Sequence, residues 1–326
     1  MKPSSERTEL LVSNSGNIAP HIAYCEANAI DWRAIANECG LPSELMEKEH
    51  WLPTKDLMLF IYKLEMMHGY LIGLEIGEKA SIAILSSQLK SKVDQCLSFE
   101  DGIHCLISEM ASLSNHVTVW TEQHEGEWWL CHRSCYRPFT PGFEQAEWFR
   151  TLALINFCRH FLGESWAPDD VGFVSTATDA HQRSTPLSRA HIQYRQPLGR
   201  MVIPLNDDFQ TIPLQKADVN WHRAVIALIR TYSVLPWFNI DWFSNMLGMT
   251  KRTLQRNLKK EGITFKGLKE ECRKTLATQL LTSTCLSVQD IAWQTGYNDL
   301  SNFNRAFKGW TGISAPSYRQ KYKSND

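Results

Sequence analysis

Two short stretches near the C-terminal end carry side chains suited to reading the edges of nucleic-acid bases. They are Lys251, Arg252, Thr253, Gln255, Arg256 and Lys259 in the first stretch, and Leu300, Ser301, Asn302, Asn304, Arg305 and Lys308 in the second. In a major groove, arginine pairs with guanine, and glutamine or asparagine pairs with adenine, through two hydrogen bonds each. Other contacts reach only phosphates, which orients a protein without reading sequence. We therefore take these positions as candidate DNA-binding residues, and the sequence leaves open which of them read bases.

Both stretches are predicted helices with one buried face and one exposed face. The two helices span about residues 250–260 and 299–309. Leu254 and Leu258 are four residues apart, so they lie on the same helix face. Phe303 and Phe307 repeat this spacing in the second helix. The candidate DNA-binding residues therefore occupy the faces that packing leaves free.

A shorter helix is predicted before each of these two. Asn239 and Ser287 are preferred N-cap residues at the start of the shorter helices. Gly248 and Gly296, 48 residues apart, supply the left-handed backbone that ends a helix and turns the chain. Two helices joined by a short, glycine-bearing turn have the geometry of a helix-turn-helix. The sequence thus predicts two such units, joined by a long helix from Thr264 to Leu281.

The two units contain the runs GMTKRTLQRNLKKEG (248–262) and IAWQTGYNDLSNFNRAFKGWTGISAPSYR (291–319). The second run in particular resembles the signature of the AraC/XylS family of bacterial transcription regulators. It departs from the family pattern at Asn298 and Asp299, where a serine-containing turn is usual, and at Ala315. The resemblance implies a regulator that binds operator DNA through both units. With a rigid connector, the recognition helices would enter successive major grooves, about 34 Å apart.

Charge is distributed unevenly along the 326 residues, although the formal net charge is only −1. Residues 216–326 contain 17 Lys and Arg against 8 Asp and Glu, whereas residues 1–215 contain 17 against 27. A basic C-terminal part is expected to bind a polyanion, and an acidic N-terminal part is expected to stay off DNA. Nine scattered cysteines and no apolar run of about 18 residues favour a cytoplasmic protein without a membrane partner.

The N-terminal part is predicted to be an α+β domain that precedes the all-α domain with its two helix-turn-helix units joined by a long helix. We place the first domain at 1–205, with a loose arm at 1–20, the linker at 206–217 and the second domain at 218–326. Helical spacing continues to about His116, a β-hairpin follows at 116–132, and a helix runs from Phe143 to Leu162. The run at 200–204 resembles the end of the effector-binding and dimerisation domain in the arabinose-binding-like branch of the same family.

Aromatic residues are concentrated between Trp120 and Phe173. Most of them are expected to form a dense core. The alternative is an apolar effector pocket in which one of four arginines, at 133, 137, 150 or 195, meets a carboxylate. For this pocket we select Trp129, Arg133 and Trp148 as effector-binding candidates.

Other constellations favour neither catalysis nor metal binding. Cys131, His132 and Cys135 lie on a predicted strand, whose side chains alternate between faces, and no second ligand cluster follows. His124 lies among glutamates at a hairpin tip, which its polarity explains. No nucleophile elbow or phosphate-binding glycine loop is present in the sequence. We therefore expect no enzyme activity, no cofactor and no metal.

The sequence favours a transcription regulator with operator DNA, a small-molecule effector and a second copy of the chain as partners. RNA polymerase would be a further partner if the protein is an activator. One alternative is a constitutive regulator whose N-terminal domain only dimerises or recruits a protein. Another is an enzyme fused to a DNA-binding domain. The effector, the operator and the direction of regulation stay open.

Overall fold

The chain folds as two units, Met1–Asn220 and Trp221–Asp326, in a computed structural model that describes residues 10–46, 50–213 and 220–322. The last four residues of the predicted linker, 214–217, lie outside the described residues, as do 218 and 219 at the predicted start of the second domain. The domain limits drawn from sequence therefore stay predictions.

The first half of the N-terminal unit is helical, as predicted. Its helices are α1 (Ala19–Ala27), α2 (Trp32–Glu38), α3 (Thr54–His68), α4 (Ile72–Lys79), α5 (Ile82–Leu85), α6 (Ser87–Val93) and α7 (Phe99–Leu113). Helices α5 and α6 are separated at Ser86, where the backbone is extended. The Ser86 hydroxyl accepts a hydrogen bond from the Leu89 amide at 3.2 Å, so it caps α6.

The second half is built on a five-stranded sheet. Its strands are β3 (Val117–His124), β4 (Glu127–Ser134), β5 (Asp170–Gly172), β6 (His191–Gln193) and β7 (Gly199–Ile203). They lie in the order β3-β4-β7-β5-β6, and only the pair β5 and β6 is parallel. Helix α8 (Phe143–Leu162) contributes Trp148, Leu152 and Ile155 to a core shared with the sheet. The predicted hairpin, the predicted helix and the α+β class are confirmed.

Residues 10–20, predicted as part of a loose arm, are packed into the N-terminal unit. Strand β1 (Val12–Asn14) pairs antiparallel with β2 (Trp51–Pro53). The Val12 amide also donates to the side chain of Asn115 at 2.8 Å, and Ile18 is buried. These partners are distant in sequence, which is why local pattern did not show them. Residues 1–9 of the predicted arm lie outside the described residues.

The first part of the predicted linker also belongs to the N-terminal unit. The Asn206 carbonyl accepts a hydrogen bond from the Trp128 indole at 3.1 Å. Phe209 is buried and stacks on the His104 ring at a centroid distance of 4.7 Å. Burial of an aromatic side chain stabilises this segment and holds it in place.

The C-terminal unit is all-helical, as predicted. Its helices are α9 (Trp221–Tyr232), α10 (Ile240–Met246), α11 (Lys251–Lys260), α12 (Phe265–Ser283), α13 (Val288–Gln294), α14 (Leu300–Thr311) and α15 (Ala315–Tyr322). Helix α12 is the predicted connector between the two helix-turn-helix units. It packs against α9, which precedes the first unit, and against α13 and α15 of the second half of the domain.

Among the described residues, no single helix is long and apolar enough to cross a membrane. Helices α3 and α4 meet both criteria only when taken as a pair, and they are bent by 111° to one another.

Candidate nucleic-acid interface

The first helix-turn-helix is formed by α10 and α11. The Asn239 side chain accepts hydrogen bonds from the amides of Asp241 and Trp242, at 3.0 and 2.9 Å, and so caps α10. Gly248 has a φ of +64°, the left-handed turn predicted for this position. The Thr250 hydroxyl then accepts from the Thr253 amide at 3.2 Å and starts α11. Each boundary thus has a local chemical cause.

The second helix-turn-helix repeats this plan in α13 and α14. Ser287 and Asp290 form a reciprocal capping box at the start of α13. Gly296 has a φ of +83°. The Asp299 carboxylate accepts from the Asn302 amide at 2.8 Å and caps α14. Asp299, a departure from the usual family pattern, therefore has a structural function here.

Apolar pairs bury one face of each recognition helix. Leu254 and Leu258 are buried in the first unit, as predicted. Phe303 and Phe307 are fully buried in the second, where their rings lie 5.6 Å apart and contact a cluster with Ile291. Burial of each such side chain contributes on the order of 1.5–3 kcal/mol. This packing fixes which way the opposite faces point.

The candidate DNA-binding residues lie on those opposite faces. The structure exposes Lys251, Arg252, Gln255, Arg256 and Lys259 on α11, and Leu300, Ser301, Asn302, Asn304, Arg305 and Lys308 on α14. Thr253 alone of the candidates is half-buried, and its hydroxyl is hydrogen-bonded to that of Thr250 at 2.9 Å. Each recognition helix therefore presents a polar, cationic strip to solvent.

Several of these side chains already have partners within the protein. Lys251 forms an ion pair with Asp241 at 3.1 Å, so its charge is partly used before any phosphate arrives. The Arg305 guanidinium donates to the Asn302 side chain at 3.2 Å. This second contact holds the two polar groups side by side on α14, where both face solvent.

Arg273, on the connecting helix α12, was not identified from the sequence. Its guanidinium donates to the carbonyls of Ser233 and Leu235, at 2.8 and 3.3 Å, and lies 4.7 Å from the centre of the Tyr297 ring. It therefore links the loop after α9 to the turn of the second helix-turn-helix. The sequence did contain one indication of this role: Arg273 lies within the apolar stripe of α12, next to Cys272 and Leu276.

Comparison with known proteins agrees with this geometry. The family described as "Helix-turn-helix domain" matches residues 243–321. The ornithine utilization regulator of Pseudomonas aeruginosa is 45% identical over 82 residues, which is 25% of this chain and 24% of that protein. The C-terminal unit is a helix-turn-helix domain of the AraC type.

The curated relatives match only part of this chain. An uncharacterised HTH-type transcriptional regulator of Mycobacterium tuberculosis is 34% identical over 102 residues, which is 30% of each chain. The chain thus spans about a quarter to a third of the length of the curated relatives it matches. Among solved structures, the C-terminal domain of AraT from Geobacillus stearothermophilus is 28% identical, with a TM-score of 0.31, over 32% of this chain and 87% of that one.

The N-terminal unit places the three candidate effector residues in different surroundings. Trp148 is fully buried, and its indole donates to the Ser175 hydroxyl at 3.1 Å. The Arg200 guanidinium covers Trp129 at 4.3 Å. Arg133 is exposed on β4. None of the three lines the apolar cavity of this unit, and their role in effector binding stays a prediction.

An apolar cavity does exist in the N-terminal unit, but other residues line it. It lies between α1, α3, α7 and α8, and its empty space is about 1050 Å³ when the part open to solvent is counted. Of the four arginines considered from sequence, Arg150 lines this cavity. In residues 10–46, 50–213 and 220–322, no three His, Cys, Asp or Glu side chains are grouped to hold a metal ion.

Proposed function

We propose that the protein is a transcription regulator that binds operator DNA through α11 and α14 and is controlled by a small molecule bound in its N-terminal unit. The observation that carries the first part is the pair of equivalent recognition helices, each with a buried apolar face and an exposed polar, cationic face. The cavity beside Arg150 supports the second part. The cytoplasm is the proposed location, because a regulator must reach the chromosome.

Electrostatics supports the division of labour between the units. The surplus of positive charge lies in the AraC-type domain, where it would release counterions from DNA on binding. Arg256 and Gln255 on α11, and Asn302 and Arg305 on α14, have the donors and acceptors for base edges. We propose these four as base-reading residues and Lys259, Asn304 and Lys308 as phosphate contacts.

Fluorescence anisotropy with labelled DNA tests the proposal. The duplex comes from DNA upstream of the operon next to the gene for this protein, because regulators of the family that it resembles commonly control an adjacent operon. A scrambled duplex of equal length is the comparison. We expect the upstream duplex to bind at least about 1,000-fold more tightly at physiological salt. A double variant, Arg256→Ala with Arg305→Ala, should remove most of this preference.

The control is Arg189→Ala, which removes an exposed arginine from the N-terminal unit. It should leave the preference unchanged. Equal binding of the two duplexes by the wild-type protein at several salt concentrations would contradict sequence-specific recognition. Tight binding that no small molecule alters would favour the constitutive regulator instead.

A further inference from the structure

The cavity of the N-terminal unit has the composition of a site for an amphipathic molecule. Most of its wall is aliphatic or aromatic, formed by residues such as Leu57, Ile61, Leu106, Met110 and Phe157. Its polar groups are few and are concentrated at particular points, which is how such sites orient a ligand.

One end of the cavity carries a chain of hydrogen-bonded polar side chains. The Ser13 hydroxyl lies 3.1 Å from that of Thr54 and 3.0 Å from Nε2 of His116. The other ring nitrogen of His116 lies 3.2 Å from the Ser134 hydroxyl. Burial, with the charge of Arg150, lowers the pKa of His116 to about 3, so this histidine is neutral at physiological pH. The chain offers hydroxyl groups but no charge.

Arg150 supplies the charge at this end. Of the described residues that line the cavity, it alone carries a formal charge at neutral pH. Its Nε donates to Nδ1 of His132 at 3.1 Å, and its two Nη atoms have no hydrogen-bond partner among the described residues. The carboxylate of Glu147, one helical turn earlier, is occupied by the amides of Val174 and Ser175, at 2.7 and 2.9 Å. The two Nη atoms are therefore available to a ligand.

Arg150 lies where two pockets meet. A second, more polar pocket of about 550 Å³ shares Ser134, Phe143 and Arg150 with the apolar cavity. Burial lowers the pKa of Arg150, but arginine stays protonated in proteins. A half-buried guanidinium without a bound carboxylate is costly unless something pairs with it. A planar carboxylate matches its two Nη donors.

His21 provides a second, independent indication of a ligand. It lines the same cavity, is 1% exposed, and neither ring nitrogen has a hydrogen-bond partner. Its ring packs on Phe149 at a centroid distance of 4.7 Å. Burial lowers the pKa of His21 to about 3, so the ring is neutral and has one donor and one acceptor unused. Buried polar groups in native proteins are almost always paired.

We propose that this cavity binds a monocarboxylate with an apolar body and one further hydroxyl or carbonyl group. The carboxylate pairs with the free Nη atoms of Arg150, the apolar body packs between α3, α7 and α8, and the second polar group faces His21. A single unpaired cation selects a single negative charge, and the aliphatic wall excludes a sugar or a polyamine. The identification of this ligand as the effector rests on the proposed function. The binding of the ligand to the cavity does not depend on that function.

Isothermal titration calorimetry of the full-length protein tests the charge and the apolar body separately. The probes are octanoate, decanoate and 1-decanol, each below the concentration at which it aggregates. Each buried methylene should tighten binding about four-fold, so decanoate should bind about 15-fold more tightly than octanoate. Decanoate should also bind about 10- to 100-fold more tightly than 1-decanol, which has no charge. Equal binding of the acid and the alcohol would overturn the role assigned to Arg150.

Arg150→Gln should remove the preference for decanoate over 1-decanol and leave the affinity for 1-decanol unchanged. Arg150→Lys should keep part of the preference, because the charge remains without the planar pair of donors. Arg189→Gln is the control: this exposed arginine lines neither pocket, so its replacement should change neither affinity. If Arg150→Gln does not fold, the comparison of the acid with the alcohol on wild-type protein still decides the question.

Positional isomers of hydroxydecanoate test the second contact. At least one isomer should bind about 2- to 10-fold more tightly than decanoate, and His21→Phe should abolish that gain while decanoate binding persists. No gain from any isomer would refute the contact with His21. If the acid binds but the affinity for DNA does not change, the cavity is a binding site but its ligand is not the effector. If the protein binds operator DNA but does not bind the acid, the proposed site is refuted and the proposed DNA-binding function stands.

Discussion

Gly296 and Gly248 occupy equivalent turns in the two helix-turn-helix units, and replacing each with alanine should have different effects. Both have a positive φ, +83° and +64°, so alanine is strained at either position by about 1–2 kcal/mol. A Cβ at Gly248 would meet nothing within 4 Å. A Cβ at Gly296 would lie 2.6 Å from the Arg273 guanidinium and 2.7 Å from the Val234 carbonyl oxygen.

The close contacts of a Cβ at Gly296 cannot be relieved by a side-chain rotation alone, because the Val234 oxygen belongs to the backbone. Moving apart would stretch the hydrogen bonds from Arg273 to Ser233 and Leu235, and hydrogen bonds to a charged group contribute about 1.5–3 kcal/mol each. We therefore expect Gly296→Ala to destabilise the AraC-type domain by about 1–3 kcal/mol more than Gly248→Ala does. Gly248→Ala is the matched control, because it isolates backbone strain.

Hydrogen–deuterium exchange of the full-length protein measures this difference locally. Gly248→Ala should raise exchange mainly in α10 and α11. Gly296→Ala should raise it in α13, in the loop at 233–235 and in the middle of α12, because Arg273 links these segments. Similar losses of protection for the two variants, or a Gly296→Ala effect confined to α13 and α14, would refute the close approach of these segments.

Three further predictions concern DNA recognition, helix capping and pH. In gel-shift titrations, Arg256→Ala should weaken DNA binding by about 1–3 kcal/mol at one base step only. Lys259→Ala should weaken binding to all sequences alike and should lower the dependence of log affinity on log salt concentration by about one. No change in either variant would mean that a different face of α11 meets the groove. Asp299→Ala should lower the free energy of unfolding in urea by about 1 kcal/mol, because α14 loses its N-cap. Asp299→Asn should keep most of that stability, because asparagine also caps helices. Equal losses of stability in the two variants would contradict a capping role. Burial holds the pKa of His21 in the folded protein at about 3, so the unfolded chain takes up a proton first as the pH falls below about 6.5. The free energy of unfolding of the N-terminal unit should therefore fall by about 1.4 kcal/mol per pH unit from this group between pH 6.5 and 3. By pH 5 the loss should reach about 2 kcal/mol. His21→Phe should flatten the pH dependence of the unfolding midpoint by about one proton, and His124→Gln, at the exposed hairpin turn, is the control; an unchanged slope in His21→Phe would show that the ring is already charged or paired.

Predictions from sequence were accurate where structure depends on neighbours within about one helical turn. The caps at Asn239 and Ser287 and the turns at Gly248 and Gly296 depend on side chains and backbone only a few residues away. Helix α8 was predicted with the bounds Phe143–Leu162, because a long apolar segment between two polar loops has few alternatives.

The candidate effector site could not be located in this way. Helix α8 is apolar around most of its circumference, so periodicity does not show which of its residues faces a cavity. Trp148 and Arg150 are two positions apart, and only the first is enclosed by the core. His21 gave no signal, because an isolated histidine in a helix is common and its lack of a partner is a property of the packing.

Sequence by itself determined the duplicated unit, the direction in which each recognition helix faces and the concentration of positive charge at one end of the chain. These follow from helical periodicity, capping chemistry and composition, which are local properties. Tertiary structure alone decided that Arg150 and His21 line one cavity, that β1 pairs with β2, and that Arg273 joins the two halves of the AraC-type domain. Each of these contacts joins residues far apart in the chain, and whether they meet is decided by how the elements between them pack.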